Sequence, residues 1–553
     1  MVTARSSNLL GKITILLMVS FVVNTATALD GSGTQEDPWR IKSLDDFNDF
    51  AADANYWDEY TRLETDVNLA GKSYTTAVIA PDTNNTNWDF DGTTFTGAFD
   101  GNNFKIVALI ITTGEENDYL GLFGSINVNS HIINLALEDV NIIGSGSSHS
   151  LGSLCGQNRG TISECNATGS VNGGYYLGGL CGYNDGGTIS NCTVTSFVTG
   201  DAEIGGLCGQ NVYGLISNCY VSGSVTCGGY YSGDIGGLCG WNINGIIINC
   251  TTTGSVIDNG YGIGWLGGLC GDNSNGIISN CTASGHVTGG YGSYSIGGLC
   301  GSNDNGKIND CTAKGSVDGG ENSECIGGLC GYNFGEISNC YAASSVTGPN
   351  DSFYLGGLVG YNTYGTITNC YAAGSVMGGV GSGELGGLVG INRSTIIYCY
   401  STVSVSGDQY VGGLIGSNYS GGTISDCYSM GSVGGNDFVG GLVGRNGYYY
   451  EPYCFTGSII SSYWNPQTSG ETDMCGYQSD CSSGCDPNYG KTTVEMHQQS
   501  TFTDWDFINV WDIGENQTYP YLRFYLPSDI NKDGIVNFLD LSITANQWME
   551  GAE

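Results

Sequence analysis

The amino-acid sequence predicts an all-β protein, a parallel β-helix or β-solenoid of about eleven coils with a cap at each end and a small α-helical segment near the C terminus. Three observations predict this architecture. A seven-residue motif returns eleven times at nearly constant spacing. Strand-forming and turn-forming residues alternate within each repeat, and no segment between residues 151 and 465 shows helical spacing of apolar residues over ten residues. A repeat of this length predicts a stack in which each unit covers the apolar face of its neighbour.

The repeated motif is G-G-L-[CVI]-G-x-N, and only the first copy departs from it, with Ser153 in place of the second glycine. Successive copies begin 26 to 31 residues apart, which sets the length of one coil. The copies begin at Gly152, Gly178, Gly205, Gly236, Gly267, Gly297, Gly327, Gly356, Gly386, Gly412 and Gly440.

Two shorter signatures follow the motif in each repeat. About ten residues after G-G-L comes a piece such as T-I-S-N-C at residues 188–192, and then G-S-V, as at residues 223–225. Short runs of β-branched residues separated by Gly, Asn, Asp and Ser are typical of strands and turns. We therefore expect three short strands per coil, in parallel sheets that run along the axis of the stack.

Two motif positions are expected to form internal ladders. Leu180, Leu207 and their equivalents should point inward as one apolar row. The last motif position is Asn in every copy, and Asn both tolerates left-handed turns and forms amide ladders when identical side chains stack. We interpret this row as structural, with ligand binding as the alternative. It comprises Asn158, Asn184, Asn211, Asn242, Asn273, Asn303, Asn333, Asn362, Asn392, Asn418 and Asn446.

Most of the 23 cysteines occupy two repeat positions, as in Cys181 and Cys192. Later repeats carry Val or Ile at the first position without any other change in the motif, which is typical of a small buried apolar site. We therefore predict buried ladders of free thiols, with disulfides between adjacent coils as the alternative. Cys227 and Cys325 lie outside these ladders. Cys475, Cys481 and Cys485 are the better disulfide candidates, and neither CxxC spacing nor a His pair supports zinc there.

The first 28 residues have the pattern of a secretory signal peptide. Arg5 and Lys12 precede an apolar run over residues 13–23, and small residues at 26–28 suit cleavage. The apolar run is too short for a lasting membrane span, and no later segment reaches 18 apolar residues. We expect a secreted or cell-surface protein with no transmembrane anchor after cleavage.

Residues 29–150 differ from the repeats and are richer in acidic and aromatic residues. A short helix is expected over residues 43–50, where Ser43 could cap an acidic first turn. Residues 119–124, Y-L-G-L-F-G, resemble a degenerate copy of the motif. We interpret this segment as the atypical cap that closes one end of the stack.

The charge excludes one class of partner. The chain carries 53 acidic and 15 basic residues, for a net charge of −38. Such a surface repels the phosphates of nucleic acids and anionic membranes. We therefore expect no binding to nucleic acid.

The repeat resembles the GLUG motif of exported and surface proteins of bacteria, among them adhesins and immunoglobulin-cleaving peptidases. The resemblance rests on G-G-L-[CVI]-G-x-N followed by I-S-N-C-x-x-x-G-S-V, and it covers roughly residues 120–460. It implies a β-solenoid and surface association, and it carries no catalytic residues. Peptidases that share the motif keep their chemistry in a zinc domain with an H-E-x-x-H helix, which this sequence lacks.

A second motif lies near the C terminus and has the ligand spacing of a calcium loop. Side-chain oxygens occupy loop positions 1, 3, 5, 9 and 12, Gly534 occupies position 6, and position 7 would offer a backbone carbonyl. A solvated acidic turn is the alternative. The predicted Ca²⁺ ligands are Asp529, Asn531, Asp533, Ile535, Asn537 and Asp540.

This loop resembles a dockerin type I repeat, which implies attachment to a cohesin-like partner. Dockerins contain two such loops, and this chain has one. The sequence therefore divides into a signal peptide (1–28), an N-terminal capping β region (29–150), the repeat solenoid (151–465), a C-terminal capping region with the cysteine cluster (466–526) and a dockerin-like half module (527–553).

The solenoid itself could be an enzyme or a binding rod. Parallel β-helices host polysaccharide lyases and glycoside hydrolases that use clustered carboxylates with basic partners. The acidic residues Asp201, Glu203, Asp234 and Glu384 precede different motif copies, form no obvious constellation and have almost no basic partners. We therefore expect a non-catalytic rod for adhesion or carbohydrate binding, with polysaccharide cleavage as the alternative.

Aromatic residues before many G-G-L units provide the candidate binding face. Stacked coils should align these loops into a stripe, and flat rings beside Gly, Ser and Asn suit a polysaccharide or a surface glycoprotein. Rings that only pack on one another to stiffen the loops are the alternative. The candidates are Tyr175, Tyr176, Tyr230, Tyr231, Tyr261, Trp265, Tyr291, Tyr294 and Tyr354.

Overall fold

The computed structural model describes residues 29–229, 233–262 and 264–523. It is an all-β parallel solenoid of about thirteen turns. The predicted fold class is confirmed, and the number of turns is slightly larger than the eleven coils predicted. Three sheets, called A, B and C below, run along the axis. Corresponding residues of neighbouring coils pair in register, as Cys181 does with Cys208 in sheet A.

Sheet A is the widest, because most coils contribute two strands to it. Its strands are Trp39–Ile41, Tyr60–Leu63, Ala98–Asp100, Phe123–Ile126, His131–Ile133, Cys155–Asn158, Thr161–Ser163, Cys181–Asp185, Thr188–Ser190, Cys208–Val212, Leu215–Ser217, Cys239–Ile243, Ile246–Ile248, Cys270–Ser274, Ile277–Ser279, Cys300–Asp304, Lys307–Asn309, Cys330–Asn333, Glu336–Ser338, Val359–Thr368, Val389–Ile397, Ile415–Asn418, Gly422–Ser425, Val443–Asn446, Gly457–Ile460 and Cys475–Gln478.

Sheet B follows sheet A in each coil. Its strands are Val67–Asn68, Lys105–Val107, Ile110–Thr112, Ala136–Ile143, Asn166–Asn172, Thr193–Gly200, Tyr220–Val221, Val225–Cys227, Thr251–Thr252, Val256–Asp258, Thr282–Ala283, Val287–Thr288, Thr312–Ala313, Val317–Asp318, Tyr341–Gly348, Tyr371–Gly378, Tyr400–Ser401, Ser404–Ser406, Tyr428–Ser429, Val433–Gly434 and Tyr463–Trp464.

Sheet C precedes sheet A and has eleven described strands, one ending at the first glycine of each motif copy. They are His149–Gly152, Tyr175–Gly178, Ala202–Gly205, Ile235–Gly236, Trp265–Gly267, Ser295–Gly297, Glu324–Gly327, Phe353–Gly356, Gly383–Gly386, Gln409–Gly412 and Asp437–Gly440.

The expectation of three strands per coil was too simple. The coil that begins at Ala202 contains five strands in three sheets, because sheets A and B are each interrupted. Sheet A breaks where Tyr213 adopts a left-handed backbone with φ of 52°. Sheet B breaks near Gly223, where an added Cβ would lie 1.9 Å from the carbonyl oxygen of Ser196 in the preceding coil.

The two predicted ladders form the core of the solenoid. The motif leucines from Leu154 to Leu442 are fully buried, and so is the Asn row from Asn158 to Asn446. Each Asn Nδ2 donates to the Oδ1 of the next Asn, beginning with Asn158 to Asn184 at 2.7 Å and ending with Asn418 to Asn446 at 3.0 Å. The structural interpretation of the Asn row is therefore confirmed, because no amide of the row faces solvent.

The cysteine ladders consist of buried free thiols, as predicted. Nineteen cysteines are buried, including Cys227 and Cys325 outside the ladders. The disulfides lie in the C-terminal cap, where Cys475 pairs with Cys485 and Cys481 pairs with Cys454. The cap cluster was predicted, and Cys454 is the partner that the sequence did not reveal.

Parallel pairing begins well before the first complete motif. Trp39–Ile41 pairs with Tyr60–Leu63, and Ala98–Asp100 pairs with His131–Ile133. Helix α1 spans Leu44–Ala52, and its N-cap Ser43 accepts a hydrogen bond from the backbone N–H of Asp46 at 3.1 Å, which confirms the predicted helix. The coils of this segment account for the turns beyond eleven.

The C-terminal end is closed by short helices, two antiparallel hairpins and stacked rings. Helices α2 and α3 span Pro466–Ser469 and Thr493–Met496. The hairpins pair Tyr448–Tyr450 with Tyr453–Phe455 and Trp511–Asp512 with Tyr521–Leu522. Four tyrosine rings stack along sheet B, at Tyr341, Tyr371, Tyr400 and Tyr428. Tyr463 pairs in register with Tyr428 and lies under the cap.

No described helix has the length and apolar character needed to cross a bilayer.

Candidate functional site

Two columns of side chains meet along the outside of the junction between sheets C and A, and we call them together the outer seam. The C column is the residue just before the buried aliphatic residue of each sheet C strand: Ser150, Tyr176, Glu203, Asp234, Trp265, Ser295, Cys325, Tyr354, Glu384, Tyr410 and Phe438. The A column is the variable residue of the motif: Gln157, Tyr183, Gln210, Trp241, Asp272, Ser302, Tyr332, Tyr361, Ile391, Ser417 and Arg445.

The backbone of the C column has an uncommon conformation. Nine of its eleven residues are left-handed, with φ from 49° at Glu203 to 64° at Tyr354. Bulky residues such as Tyr, Phe and Glu rarely adopt this region, and each instance costs about 1–3 kcal/mol and persists only where the surrounding structure imposes it. The imposing contact is a motif glycine of the next coil, since a Cβ on Gly209 would lie 2.5 Å from the carbonyl carbon of Tyr176. Sheet A therefore approaches sheet C closely, and the two columns become neighbours.

Aromatic rings touch across and along the seam. The rings of Tyr176 and Tyr183 lie 6.4 Å apart, and those of Tyr354 and Tyr361 lie 5.6 Å apart in an edge-to-face arrangement. Tyr332 stacks on Tyr361 with centroids 5.3 Å apart. These rings are partly exposed, so the seam presents an amphipathic aromatic surface over several coils.

The N-terminal end of the seam carries a further aromatic group. The ring of Trp88 stacks on the His149 imidazole with centroids 4.7 Å apart, and Tyr119 donates from its hydroxyl to the Trp88 carbonyl at 2.6 Å. His149 Nε2 lies 3.2 Å from a carboxylate oxygen of Asp118, and both side chains are buried. The His149 ring also contacts Tyr176, which makes this group continuous with the C column.

The central coils of the seam hold buried carboxyl groups, which we call the acidic stretch: Glu203, Asp234 and Asp272. Burial, reinforced by the charges of Asp272 and Glu203, raises the pKa of Asp234 well above its ordinary value. Burial raises the pKa of Glu203 to about 7. Burial also raises the pKa of Asp272 to about 7, although a hydrogen bond from Ser274 opposes it. In the described part of the chain no Lys, Arg or His forms an ion pair with these three groups.

The acidic stretch lies between two tryptophans. Trp241 pairs with Asp272 in sheet A, and Trp265 follows Asp234 in the C column. The Trp241 indole N–H donates to Ser274 Oγ at 3.0 Å, and the Ser274 hydroxyl in turn donates to Asp272. Asp234 is only 4% exposed, and one oxygen each of Asp234 and Asp272 is buried without a hydrogen-bond partner. The expectation of no constellation was wrong for Glu203 and Asp234, which lie 31 residues apart in adjacent coils and interact electrostatically with each other.

Glu384 has a different environment, at the C-terminal end of the seam. Its carboxylate accepts a hydrogen bond from Arg445 at 3.0 Å. Burial still raises the pKa of Glu384, more than Arg445 lowers it. The near absence of basic partners predicted from the sequence therefore holds for the acidic stretch and fails for Glu384.

The predicted aromatic stripe divides into two groups. Tyr176, Trp265 and Tyr354 lie in the C column, and Tyr175 and Tyr294 directly precede C-column positions. Burial raises the pKa of Tyr294 to about 12.

The second group lies in the loops that lead from sheet B to sheet C. The exposed rings of Tyr261 and Tyr291 stand there with centroids 5.9 Å apart. Tyr230 and Tyr231 lie outside the described residues.

The sequence patterns did not identify the A column. Tyr183, Trp241, Tyr332, Tyr361 and Arg445 all occupy the variable position of the motif itself. That position carries large aromatic or charged side chains in several copies, although it stands beside the buried Asn row. A variable position between two fixed residues of the motif is the sequence signal that could have identified the A column.

The predicted Ca²⁺ ligands Asp529, Asn531, Asp533, Ile535, Asn537 and Asp540 lie outside the described residues. Within the described part of the chain no three His, Cys, Asp or Glu side chains are grouped closely enough to hold a metal ion.

Comparison with protein-family models identifies the repeat. Eight segments match the model of the GLUG motif, at residues 173–199, 200–226, 231–257, 266–288, 292–318, 322–347, 351–377 and 407–434. These eight repeats are GLUG motifs. Each matched segment contains one copy of the motif. It also contains at least part of the sheet C strand before the motif and at least part of the sheet B strands after it.

One protein sequence and one crystal structure are similar to this chain. Halomucin of Haloquadratum walsbyi is 32% identical over 160 residues, which are 28% of this chain and 2% of halomucin. The crystal structure of a candidate immunoglobulin A1 protease from Bacteroides ovatus is 18% identical, covers 52% of this chain and 79% of its own, and has a TM-score of 0.36. The chain thus spans a very small part of halomucin.

Proposed function

We propose that this GLUG-repeat solenoid is a secreted or cell-surface adhesion rod that binds a polysaccharide or a surface glycoprotein along its outer seam. The observation that carries the proposal is the partly exposed row of seam rings, seen most clearly at Tyr332, Tyr354 and Tyr361. Aromatic faces suit the apolar faces of sugar rings, and neighbouring carboxyl and hydroxyl groups suit their hydroxyls. Successive coils about 4.8 Å apart offer a regular ladder to a polymer with a regular repeat.

Two terminal segments extend the proposal. The signal-like residues 1–28 support export. The loop containing Asp529, Asp533 and Asp540 would hold Ca²⁺ through oxygen ligands and would attach the rod to a cohesin-like partner. Removal of Ca²⁺ should then release the rod from its attachment without changing glycan binding along the seam.

Affinity electrophoresis through gels that contain neutral, uronate-rich, sulfated or amino-sugar polysaccharides tests the seam. The double variant Tyr354→Ala/Tyr361→Ala should reduce retardation at least about tenfold, because two stacking rings are lost. The matched control is Tyr213→Ala/Tyr364→Ala, since these tyrosines are 71% and 78% exposed, Tyr213 at a break between two strands of sheet A and Tyr364 at a register shift within one strand. Equal retardation of both variants, with unchanged circular dichroism, would exclude the seam as the binding face.

Polysaccharide cleavage is the second candidate function, and the acidic stretch is the observation that favours it. A carboxyl group with a pKa near 7, such as those of Glu203 and Asp272, suits a general acid. Incubation of the full chain with the polysaccharides that it retains, followed by assays for new reducing ends and unsaturated sugars, separates the two functions. Release of products that is lost in Glu203→Gln would establish an enzyme, and retention without product supports the binding rod.

A further inference from the structure

A cavity of about 330 Å³ lies beside the C-terminal end of the outer seam. We call it the arginine pocket. Its lining residues are Arg393, Tyr419, Ser420, Arg445, Tyr448 and Phe455. Tyr448 and Phe455 belong to the antiparallel hairpin that projects at this level, and Arg445 belongs to the A column. The pocket is therefore continuous with the seam.

The two guanidinium groups are conspicuous in this chain. Only three arginines occur between residues 151 and 465, and two of them meet here, in a chain of net charge −38. Both guanidinium groups lie against the ring of Tyr419, at 5.5 Å for Arg393 and 5.4 Å for Arg445. Positive charge is thus concentrated at one point of an acidic rod.

Arg445 is held in place but has donors to spare. Its guanidinium lies 4.2 Å over the ring of Tyr410 and 5.4 Å from that of Tyr448, while Nη2 donates to Glu384 at 3.0 Å. Its side chain is 12% exposed, and its Nε is buried without an acceptor. A guanidinium held in this way loses little side-chain freedom when its remaining N–H groups donate to a ligand.

Arg393 carries the uncompensated charge of the pocket. Its Nη1 donates to the Tyr361 hydroxyl at 2.7 Å, and this hydrogen bond raises the pKa of Arg393. Among the residues described, no carboxylate forms an ion pair with Arg393, and Glu384 pairs with Arg445. The Ser420 hydroxyl is also buried there without a partner.

We propose that the arginine pocket binds the carboxylate of a uronic acid residue, which makes an acidic polysaccharide the ligand of the seam. Guanidinium and carboxylate groups are planar and match in paired hydrogen bonds, and the rings of Tyr419, Tyr448 and Phe455 form walls against which a sugar ring can pack. The volume lies at the lower end of the range for small-ligand pockets, as expected for one or two sugar residues. The inference deepens the proposed function and rests on it for the polymeric nature of the ligand.

Isothermal titration of the full chain with trigalacturonate, its methyl ester and sulfated dextran tests the pocket. The wild type should bind trigalacturonate at least about tenfold more tightly than the methyl ester, because esterification removes the charge. Arg393→Gln should abolish that preference, and Arg393→Lys should restore only part of it, since Lys keeps the charge without the fork. The matched control is Arg159→Gln, which removes an arginine paired with Asp185 in a distant coil.

Three outcomes would overturn the inference: equal affinity for acid and ester, an unchanged preference in Arg393→Gln, or preference for sulfated dextran over trigalacturonate. If Arg393→Gln fails to fold, Ser420→Ala should still lower the affinity for trigalacturonate severalfold without changing that for the ester. If neutral glycans bind through Tyr354 and Tyr361 but trigalacturonate does not bind, the pocket inference is wrong and the proposed function of the seam stands. If trigalacturonate still binds after the loss of both tyrosines, the proposed function of the seam is wrong and the pocket inference stands.

Discussion

The acidic stretch and the arginine pocket are built on the same two columns of the same repeat, yet their electrostatics differ. Glu203 and Glu384 occupy equivalent C-column positions, and burial raises the pKa of both carboxyl groups. Glu384 has Arg445 at 3.0 Å, whereas Glu203 has another acidic residue, Asp234, as its neighbour. The internal Leu and Asn ladders therefore set the positions of the C-column and A-column residues. The identity of those residues sets the local charge and pKa values.

The largest expected effect is a gain of stability on acidification, caused by the acidic stretch. The pKa of Asp272 is about 7 in the folded chain, against an ordinary value of 3.8. Between these values the folded state binds more protons than the unfolded state, so stability is full below pH 4 and falls as pH rises through 7. Asp272 alone accounts for up to about 4 kcal/mol.

Urea denaturation of the full chain at pH 5, 6, 7 and 8 measures this effect. The free energy of unfolding should fall across that range in the wild type and much less in Asp234→Asn/Asp272→Asn. A free energy of unfolding that stays constant between pH 5 and 8 would contradict the raised pKa values of these carboxyl groups.

The same chemical change should differ in size between the two regions. At pH 7, Asp272→Asn should raise the free energy of unfolding by about 1–3 kcal/mol, because it removes a buried carboxylate without a cation. Glu384→Gln should raise it by less than about 1 kcal/mol, because the attraction of Arg445 offsets part of the cost of burying that carboxylate. Chemical denaturation of both variants provides the check, and equal effects would remove the distinction between the two regions.

The smallest effect is expected from exchanges inside the core. Cys270 and Val389 occupy equivalent buried positions at the levels of the two regions. Cys270→Val and Val389→Cys should each change the free energy of unfolding in urea by less than about 1 kcal/mol, since the site accepts both side chains. A loss of several kcal/mol in only one of them would mean that the core, and not the columns, distinguishes the regions.

The fold was predictable because its determinants repeat along the chain. The spacing of Leu180 and Leu207 and the unbroken Asn row set the coil length and the register. Helix α1 was predictable from its cap, Ser43, and from its acidic first turn. The turns before residue 150 were not, because strands such as Tyr60–Leu63 and Ala98–Asp100 stack without a copy of the motif.

The candidate site was only partly predictable, because it depends on backbone geometry between coils. Tyr176 and Tyr354 were found because aromatic residues stand out before G-G-L. Their contacts with Tyr183 and Tyr361 follow from the left-handed C column and the motif glycine facing it, which sequence spacing does not show. The proximity of Asp234 and Asp272 has the same origin.

Hydroxyl-radical footprinting of the full chain with and without polygalacturonate tests most directly whether the outer seam is the binding face. We expect the polymer to slow oxidation of Trp265, Tyr354 and Tyr361 severalfold, while the exposed rings of Tyr213 and Tyr364 in sheet A react as before. Protection confined to Tyr213 and Tyr364, or equal reactivity of all five rings under conditions where the chain is retained by the polymer, would contradict the account.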